Sequence, residues 1–428
     1  MRKPRTRGIY IHIPFCRSKC PYCDFYSILR TAEADIAEFV RALEAEIRYY
    51  GRLYGRAAES DAMAAAPAGA AAAPPHTAAL PIDSIYFGGG TPSLLSEAQF
   101  GGVLRVLSES FEICPDAEIS MEANPATVTE EKLAAYKASG LNRLSIGAQS
   151  FDPAVLKLLG RLHKAKDTAE AVEAARKAGI QNISLDLMFG ISGQTAESWE
   201  QTVRQAAALR PQHISLYTLE IADGTRFARD LDRGIYRQTD EESDRRMYEA
   251  ALKLLADAGL YQYEISNVSL PGYECRHNLR YWSMGEYLGF GPSAHSFVDG
   301  MRFNNIANTA EYVKALRKGY ETESMTKREP HLTAAKELIL PSYTENIHIN
   351  SEYDNISEYM FTALRRIGGV DKRDFRDNFG RELWEVFADE MTEFESFVRG
   401  GFAEDDERGI RLTASGMNIS NRIMLLFV

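Results

Sequence analysis

The sequence predicts an α/β protein: a partial (β/α)6 barrel of TIM type, an extension, and a small C-terminal winged-helix-like domain. Three observations carry this. Six β-α units with apolar strands fill the first half, which implies a parallel sheet covered by helices. The residues able to do chemistry fall at the ends of those strands, where a parallel barrel opens. Beyond about Ile221 the rhythm stops, and the tail reads as three helices, a hairpin and a last helix. A doubly wound open sheet is the competing closure. The 428 residues allow two or three domains, divided as 1–220, 221–330 and 331–428.

Gly8–Pro14 (GIYIHIP) reads as the first strand, and Glu33–Tyr54 as a helix with apolar residues at helical spacing. Residues 55–81 form an Ala/Pro-rich flexible insertion, lacking the large apolar groups that offset ordering entropy. Ile82–Phe87 is the second strand, followed by a glycine turn and a helix over Glu97–Ser110. Ala117–Glu122, Arg143–Ile146, Ile183–Phe189 and His213–Leu219 supply the other strands. Helices are expected at Glu130–Ser139, Pro153–Leu159, Thr168–Ala178 and Ser198–Leu209. A helix over Glu241–Ala258 and a strand at Tyr261–Ile265 then lead into an aromatic, glycine-rich stretch ending near Asn305. Pro330–Ser357 fits no pattern and is read as an insertion or linker. The tail has helices at Tyr359–Arg366, Lys372–Phe379 and Leu383–Val398, with a hairpin at Gly400–Leu412.

Composition narrows the function. Hydrophobic residues make up 45% and charged residues 25%, which excludes a disordered or fibrous chain. A formal net charge of −11 argues against a protein whose main work is gripping nucleic-acid phosphates. Five cysteines are too few for a disulfide scaffold, and three crowd into eight positions, which reads as a reduced, cytoplasmic setting and a metal. The apolar run Ile9–Phe15 behind the basic start holds His12 and is too short for a signal core. The alanine tract Met63–Pro75 is broken by Pro67, Gly69, Pro74 and Pro75, so no integral membrane segment is expected.

The strongest chemical signal is Cys16-x3-Cys20-x2-Cys23, directly after the first strand. Three thiolates on one tight loop can hold a four-iron cluster and leave one iron open to a small molecule. A zinc site is the alternative, with Asp24 or His12 as a fourth ligand, though neither has customary zinc spacing. Gly88-Gly89-Gly90-Thr91-Pro92 follows the second strand. Glu122 ends the third, Gln149 follows the fourth, Asp186 lies in the fifth, and Tyr217 and Glu220 lie near the end of the sixth. In a parallel barrel these positions share the mouth with the cysteine loop. Glycines allow close backbone approach to a ligand, but no Gly-Lys-Ser/Thr follows, so this is not a P-loop. Singly, each feature is an ordinary turn or cap. Their agreement on one face is what suggests a site.

The cysteine spacing and the Gly-Gly-Gly-Thr-Pro turn resemble the radical S-adenosylmethionine (SAM) superfamily. With Tyr10-x-His12-Ile13-Pro14-Phe15-Cys16, Gly147-x-Gln149-Ser150-Phe151, Arg161-x-His163 and Asp186, the chain is similar to the oxygen-independent coproporphyrinogen III oxidase group. The resemblance runs from about residue 8 to 305 and again over the C-terminal module. It implies that Cys16, Cys20 and Cys23 ligate a [4Fe-4S] cluster whose open iron takes SAM. It also implies that Tyr10, Gly89, Gly90, Thr91 and Glu122 hold that SAM. Tyr22, Gln149, Arg161 and Asp186 match positions that contact a second SAM or the substrate region. A carboxylate can pair with the cationic amino group, and an arginine with a carboxylate.

The true oxidases carry an additional cysteine two positions after the third ligand, where this chain has Phe25. A branch with an aromatic residue there, the HemW-type haem chaperones, also has His-Asn-x-x-Tyr-Trp, present here as His277-Asn278-Leu279-Arg280-Tyr281-Trp282. Gly289-Phe290-Gly291-Pro292-Ser293-Ala294-His295-Ser296 is similar to that branch as well. His277 offers an imidazole to haem iron, Tyr281 and Trp282 offer flat apolar surface, and Arg276 and Arg280 can pair with propionates. Cys275 and His295 are alternative ligands, and a packed histidine is the plain alternative for His277. The resemblance implies a cytoplasmic haem chaperone that hands haem to haem-requiring acceptor proteins, with peripheral contact to membrane-bound ones. It implies no coproporphyrinogen oxidase activity. The alternatives are coproporphyrinogen III dehydrogenase itself and a tRNA-modifying enzyme. The acidic balance and the lack of a basic RNA-binding module disfavour the latter.

Overall fold

A computed structural model describes residues 5–29, 32–56, 79–317, 326–328 and 339–428. Most of the expected insertion at 55–81, and the start of the stretch Pro330–Ser357, lie outside the described residues. From the N-terminus run β1 (Arg7–Ile13), α1 (Glu33–Tyr54), β2 (Ile82–Gly89), α2 (Glu97–Ser110), β3 (Ile113–Ala123), α3 (Glu130–Ala138) and β4 (Arg143–Gln149). Helices α4 (Pro153–Leu158) and α5 (Ala165–Lys177) lead to β5 (Asn182–Phe189), α6 (Ala196–Ala208), β6 (His213–Thr218), α7 (Arg226–Asp232) and α8 (Glu241–Asp257). Next come β7 (Tyr261–Glu264), β8 (Asn267–Ser269), α9 (Arg276–Tyr281), β9 (Tyr287–Phe290), β10 (His295–Val298), β11 (Met301–Asn305) and α10 (Thr309–Arg317). The remainder is β12 (Thr326–Arg328), β13 (Ile339–Pro341), β14 (Thr344–Ile349), α11 (Glu352–Ala363), β15 (Val370–Asp371), α12 (Lys372–Phe379), α13 (Leu383–Val386), α14 (Met391–Arg399), β16 (Ala403–Asp405), β17 (Gly409–Leu412) and two short helices.

The chain divides into two compact units. The first comprises Met1–Ser184, Glu220–Tyr236 and Glu286–Ile349; the second comprises Leu185–Leu219, Arg237–Gly285 and Asn350–Val428. In the first unit β1 pairs in parallel with β2, β2 with β3, and β3 with β4. On its other side β1 pairs in parallel with β9, and β10, β11 and β14 continue the sheet antiparallel. Ile9, Ile11 and Ile13 are buried on one face of β1 and Gly8 and His12 on the other, as a strand covered on both faces requires. Helix α1 buries Phe39, Leu43, Ile47, Tyr50 and Tyr54 along one stripe. Helix α2 starts at Ser96, whose side chain accepts from Gln99 N–H while the Gln99 side chain accepts from Ser96 N–H, a capping box.

In the second unit β5, β6, β8 and β7 lie in that order, with β8 antiparallel to both β6 and β7. Its C-terminal part has a core of its own, in which Met360, Phe375, Phe387, Phe394, Ile410 and Phe427 are fully buried. The three-stranded sheet β15-β17-β16 contains the hairpin expected at Gly400–Leu412.

Two expectations need correction. The single helix at Leu383–Val398 is two, α13 and α14. Phe387 turns into the core against Phe427 at a ring distance of 5.0 Å, in a non-helical conformation that interrupts the run. The described part of Pro330–Ser357 holds β13, β14 and the start of α11. Strand β14 (TENIHI) is mostly exposed, so burial imposes little apolar alternation on it.

Candidate functional site

The cysteine loop leaves the end of β1 and returns beside it. Cys16 N–H donates to Ile28 C=O (3.0 Å), Ile28 N–H donates to Pro14 C=O (2.7 Å), and Cys23 N–H donates to Cys20 C=O (3.2 Å). All three thiols are free and half-buried. Polar groups lie against two of them: the Thr91 hydroxyl is 3.5 Å from Cys16 Sγ, and Arg161 Nη1 donates to Cys20 Sγ at 3.7 Å. Burial pushes the Cys23 thiol up to about 11, with Cys20 and Cys16 adding to the shift. Metal binding there releases a proton. Among the described residues no three His, Cys, Asp or Glu side chains are gathered into a finished metal-binding group. The loop brings the thiols into electrostatic contact and stops there. Phe25 on the same loop is 63% exposed.

The glycine turn closes over this loop for steric reasons. Gly90 N–H donates to Ile13 C=O (2.8 Å). A side chain at Gly90 would place its Cβ 2.7 Å from Phe15 C=O and 3.1 Å from Cys16 Sγ. Gly89 has φ 106°, and a Cβ there would sit within 2.8 Å of the His12 ring. His12 is buried and bridges two groups, Tyr10 OH at 3.2 Å and Tyr26 C=O at 2.8 Å. Burial lowers its pKa to about 4, so the ring is neutral at pH 7. Tyr86 OH donates to Glu122 Oε1 (3.1 Å), and the Tyr10 and Tyr86 rings stack at 6.4 Å. Burial, then the Glu122 charge, raises the Tyr10 phenol and keeps it protonated. Tyr10, Gly89 and Glu122 thus lie on adjacent strands, with Gly90 and Thr91 against Cys16.

Gln149 ends β4 with φ 63°, a strained value for a residue with a side chain. Arg161 Nη2 donates to Gly147 C=O (2.8 Å), and a Cβ at Gly147 would meet Gln149 Nε2 at 2.9 Å and Arg161 Nη2 at 3.3 Å. Burial raises the Tyr22 phenol, while the Arg161 charge opposes that shift. Arg161 therefore ties β4 to the cysteine loop. Leu162 beside it is 65% exposed. Phe15, Tyr26 and Ile28 line a cavity of about 390 Å³ with Asp35, Glu38, Lys314 and Arg317. None of the three cysteines lines it.

Asp186, on β5, belongs to the second unit, as does His277 on α9. His277 is only 1% exposed. Its Nε2 lies 2.8 Å from Tyr281 OH one turn along, with the rings edge to face at 4.9 Å. Cys275 is buried, and its N–H donates to Tyr263 OH (3.2 Å). His295 is exposed on β10 in the first unit. Sequence reasoning missed Tyr86, whose only signal was its place two residues before the glycine run.

Residues 76–206 match the family model of the radical SAM superfamily, and residues 350–419 match the HemN C-terminal domain. The first match begins downstream of Cys23, so the cysteine motif is additional to it. The Heme chaperone HemW of Bacillus subtilis is 32% identical over 424 residues, 99% of each chain. The chain belongs to the HemW family. The Escherichia coli HemW is 37% identical over 296 residues, 68% of this chain and 71% of that one. The HemW-family fold is similar to the solved structure of Escherichia coli coproporphyrinogen III oxidase (HemN), a radical SAM enzyme. That match has a TM-score of 0.78 at 21% identity, over 99% of this chain and 90% of that one. It supports the mixed α/β fold with a large parallel sheet and a C-terminal domain, and at that identity it speaks only for fold.

Proposed function

We propose that this protein is a radical SAM-type haem chaperone, which binds haem as well as a [4Fe-4S] cluster and SAM and delivers haem to haem-requiring acceptor proteins. The observation that carries this is likeness to the HemW chaperones along 99% of the chain. Cys16, Cys20 and Cys23 hold the cluster, and the polar groups set against two of the sulfurs, Thr91 and Arg161, support it. Tyr10, Gly89, Gly90, Thr91 and Glu122 hold SAM, and Tyr22, Gln149, Arg161 and Asp186 are proposed to contact a second SAM or the substrate. When bound, cluster and SAM supply one-electron chemistry. Haem takes His277 as its leading iron ligand, and ligation through Nε2 requires the His277–Tyr281 bond to open. Five cysteines with no disulfide among the described residues suit the cytoplasm. No helix among the described residues is long and apolar enough to cross a membrane, and the contact we propose with membrane-bound acceptors is peripheral.

Phe25 argues against coproporphyrinogen oxidation. The test is to reconstitute the cluster anaerobically and assay haem binding beside coproporphyrinogen III turnover with SAM and reductant. Haem binding without turnover supports the chaperone. Catalytic formation of protoporphyrinogen overturns it.

A further inference from the structure

At the end of α9, five residues after His277, the second unit buries polar atoms that have no hydrogen-bond partner. The Arg365 guanidinium sits over the Trp282 ring at 4.4 Å, in cation–π contact. Its Nη2 reaches Glu264 Oε2 only at 3.8 Å, too long for a hydrogen bond. Glu264 is 0% exposed, and burial raises its pKa. Its Oε1 accepts from Ser266 N–H (3.1 Å) and from the Asn267 amide, while Oε2 has no hydrogen-bond partner. Trp282 Nε1 and Arg365 Nε are also buried without one. The adjacent Arg366 donates to Ser283 Oγ (3.4 Å), directly after Trp282. Buried polar atoms are ordinarily paired, so a group of orphans around one ring marks a place built for another partner.

The orphan groups on Trp282 and Arg365 are both N–H donors, and one carries a full positive charge. A carboxylate satisfies both, at the face of an aromatic ring. Resting on the haem reading above, we infer that Arg365 and Trp282 form a carboxylate subsite that takes a haem propionate. Glu264 is the counter-charge that holds Arg365 on the indole until that carboxylate arrives. The bound propionate accepts from Arg365 and Trp282, and the indole face that Arg365 gives up becomes available to the porphyrin ring. Arg365 comes from the segment after α11, so the C-terminal part of the chain contributes directly to haem recognition.

The test titrates full-length protein with haem and with haem dimethyl ester, whose propionates are blocked. Arg365→Gln is the main variant. Because Glu264 is buried, the double variant Glu264→Gln/Arg365→Gln guards against misfolding from an uncompensated charge. Both variants should bind haem about tenfold more weakly than wild type, the scale of a lost charge-assisted hydrogen bond. Both should bind the ester as wild type does. Unchanged haem affinity in the variants overturns the subsite. Equal loss of haem and ester affinity makes Arg365 a structural residue and overturns it too. If wild type binds neither compound, the haem reading itself fails, and the subsite with it.

Discussion

Gly90 concentrates the argument about the cluster into one atom that is missing. A methyl group there would press on Phe15 C=O and Cys16 Sγ together, and the backbone partner cannot swing aside. Gly90→Ala should therefore lower the iron bound after anaerobic reconstitution to well under half the wild-type content. A variant with full iron content would mean that the cradle tolerates the methyl. His12 makes a prediction with a sign. Its folded-state pKa of about 4 lies below the ordinary 6.5, so the unfolded chain takes the proton first. Its contribution to stability is intact above pH 6.5 and is lost as pH falls toward 4. Glu46, which burial lifts to about 7, has the opposite sign: its contribution is present at low pH and lost as pH rises through 7. The diagnostic quantity is thus the difference between proteins. By urea unfolding at pH 7 and pH 5, His12→Asn should remove about 2 kcal/mol of acid destabilisation relative to wild type. Parallel pH profiles would contradict the buried neutral imidazole. His277→Ala should change the Soret band or weaken haem binding while iron content stays intact. An unchanged spectrum and affinity would move attention to His295 or Cys275.

Among the elements, α14 offers the clearest stability test. Phe394 is fully buried against Phe427, with ring centroids 5.9 Å apart. Phe394→Ala should cost about 3–5 kcal/mol by urea unfolding. A cost below about 1 kcal/mol would mean that this core is loosely packed. Elements were legible where local pattern and tertiary demand agreed. The bounds of α1, α2 and α12 follow directly from apolar spacing and end signals. The break between α13 and α14 was hidden, because Leu383 to Val398 is helical by spacing and only the pull of the core on Phe387 interrupts it. Strand β14 was hidden for the opposite reason, since it is exposed and its register is set by β11. Of the candidate site, the nearness of the cysteine loop and the glycine turn was legible, because both follow neighbouring strands. Glu46 was not: it lies on the apolar face of α1, and its partners, Gly291 N–H (2.8 Å), the Asn305 amide (2.7 Å) and the Tyr312 hydroxyl, lie more than two hundred residues away. His277 was legible as a residue, but its buried bond to Tyr281 was not.

For the whole molecule, the central claim is that the chain carries haem and gives it up. The chain has the cysteine loop and glycine cradle of a radical SAM protein, and Phe25 where the oxidases have a cysteine. The direct measurement is to load the cluster-bearing protein with haem, remove free haem by gel filtration, and mix it with an apo haem protein under anaerobic conditions. Haem transfer is followed by the Soret band. The account predicts transfer faster than from haem-loaded albumin, with the iron–sulfur cluster retained on the donor. Haem that stays on the protein, or moves no faster than from albumin, would contradict it.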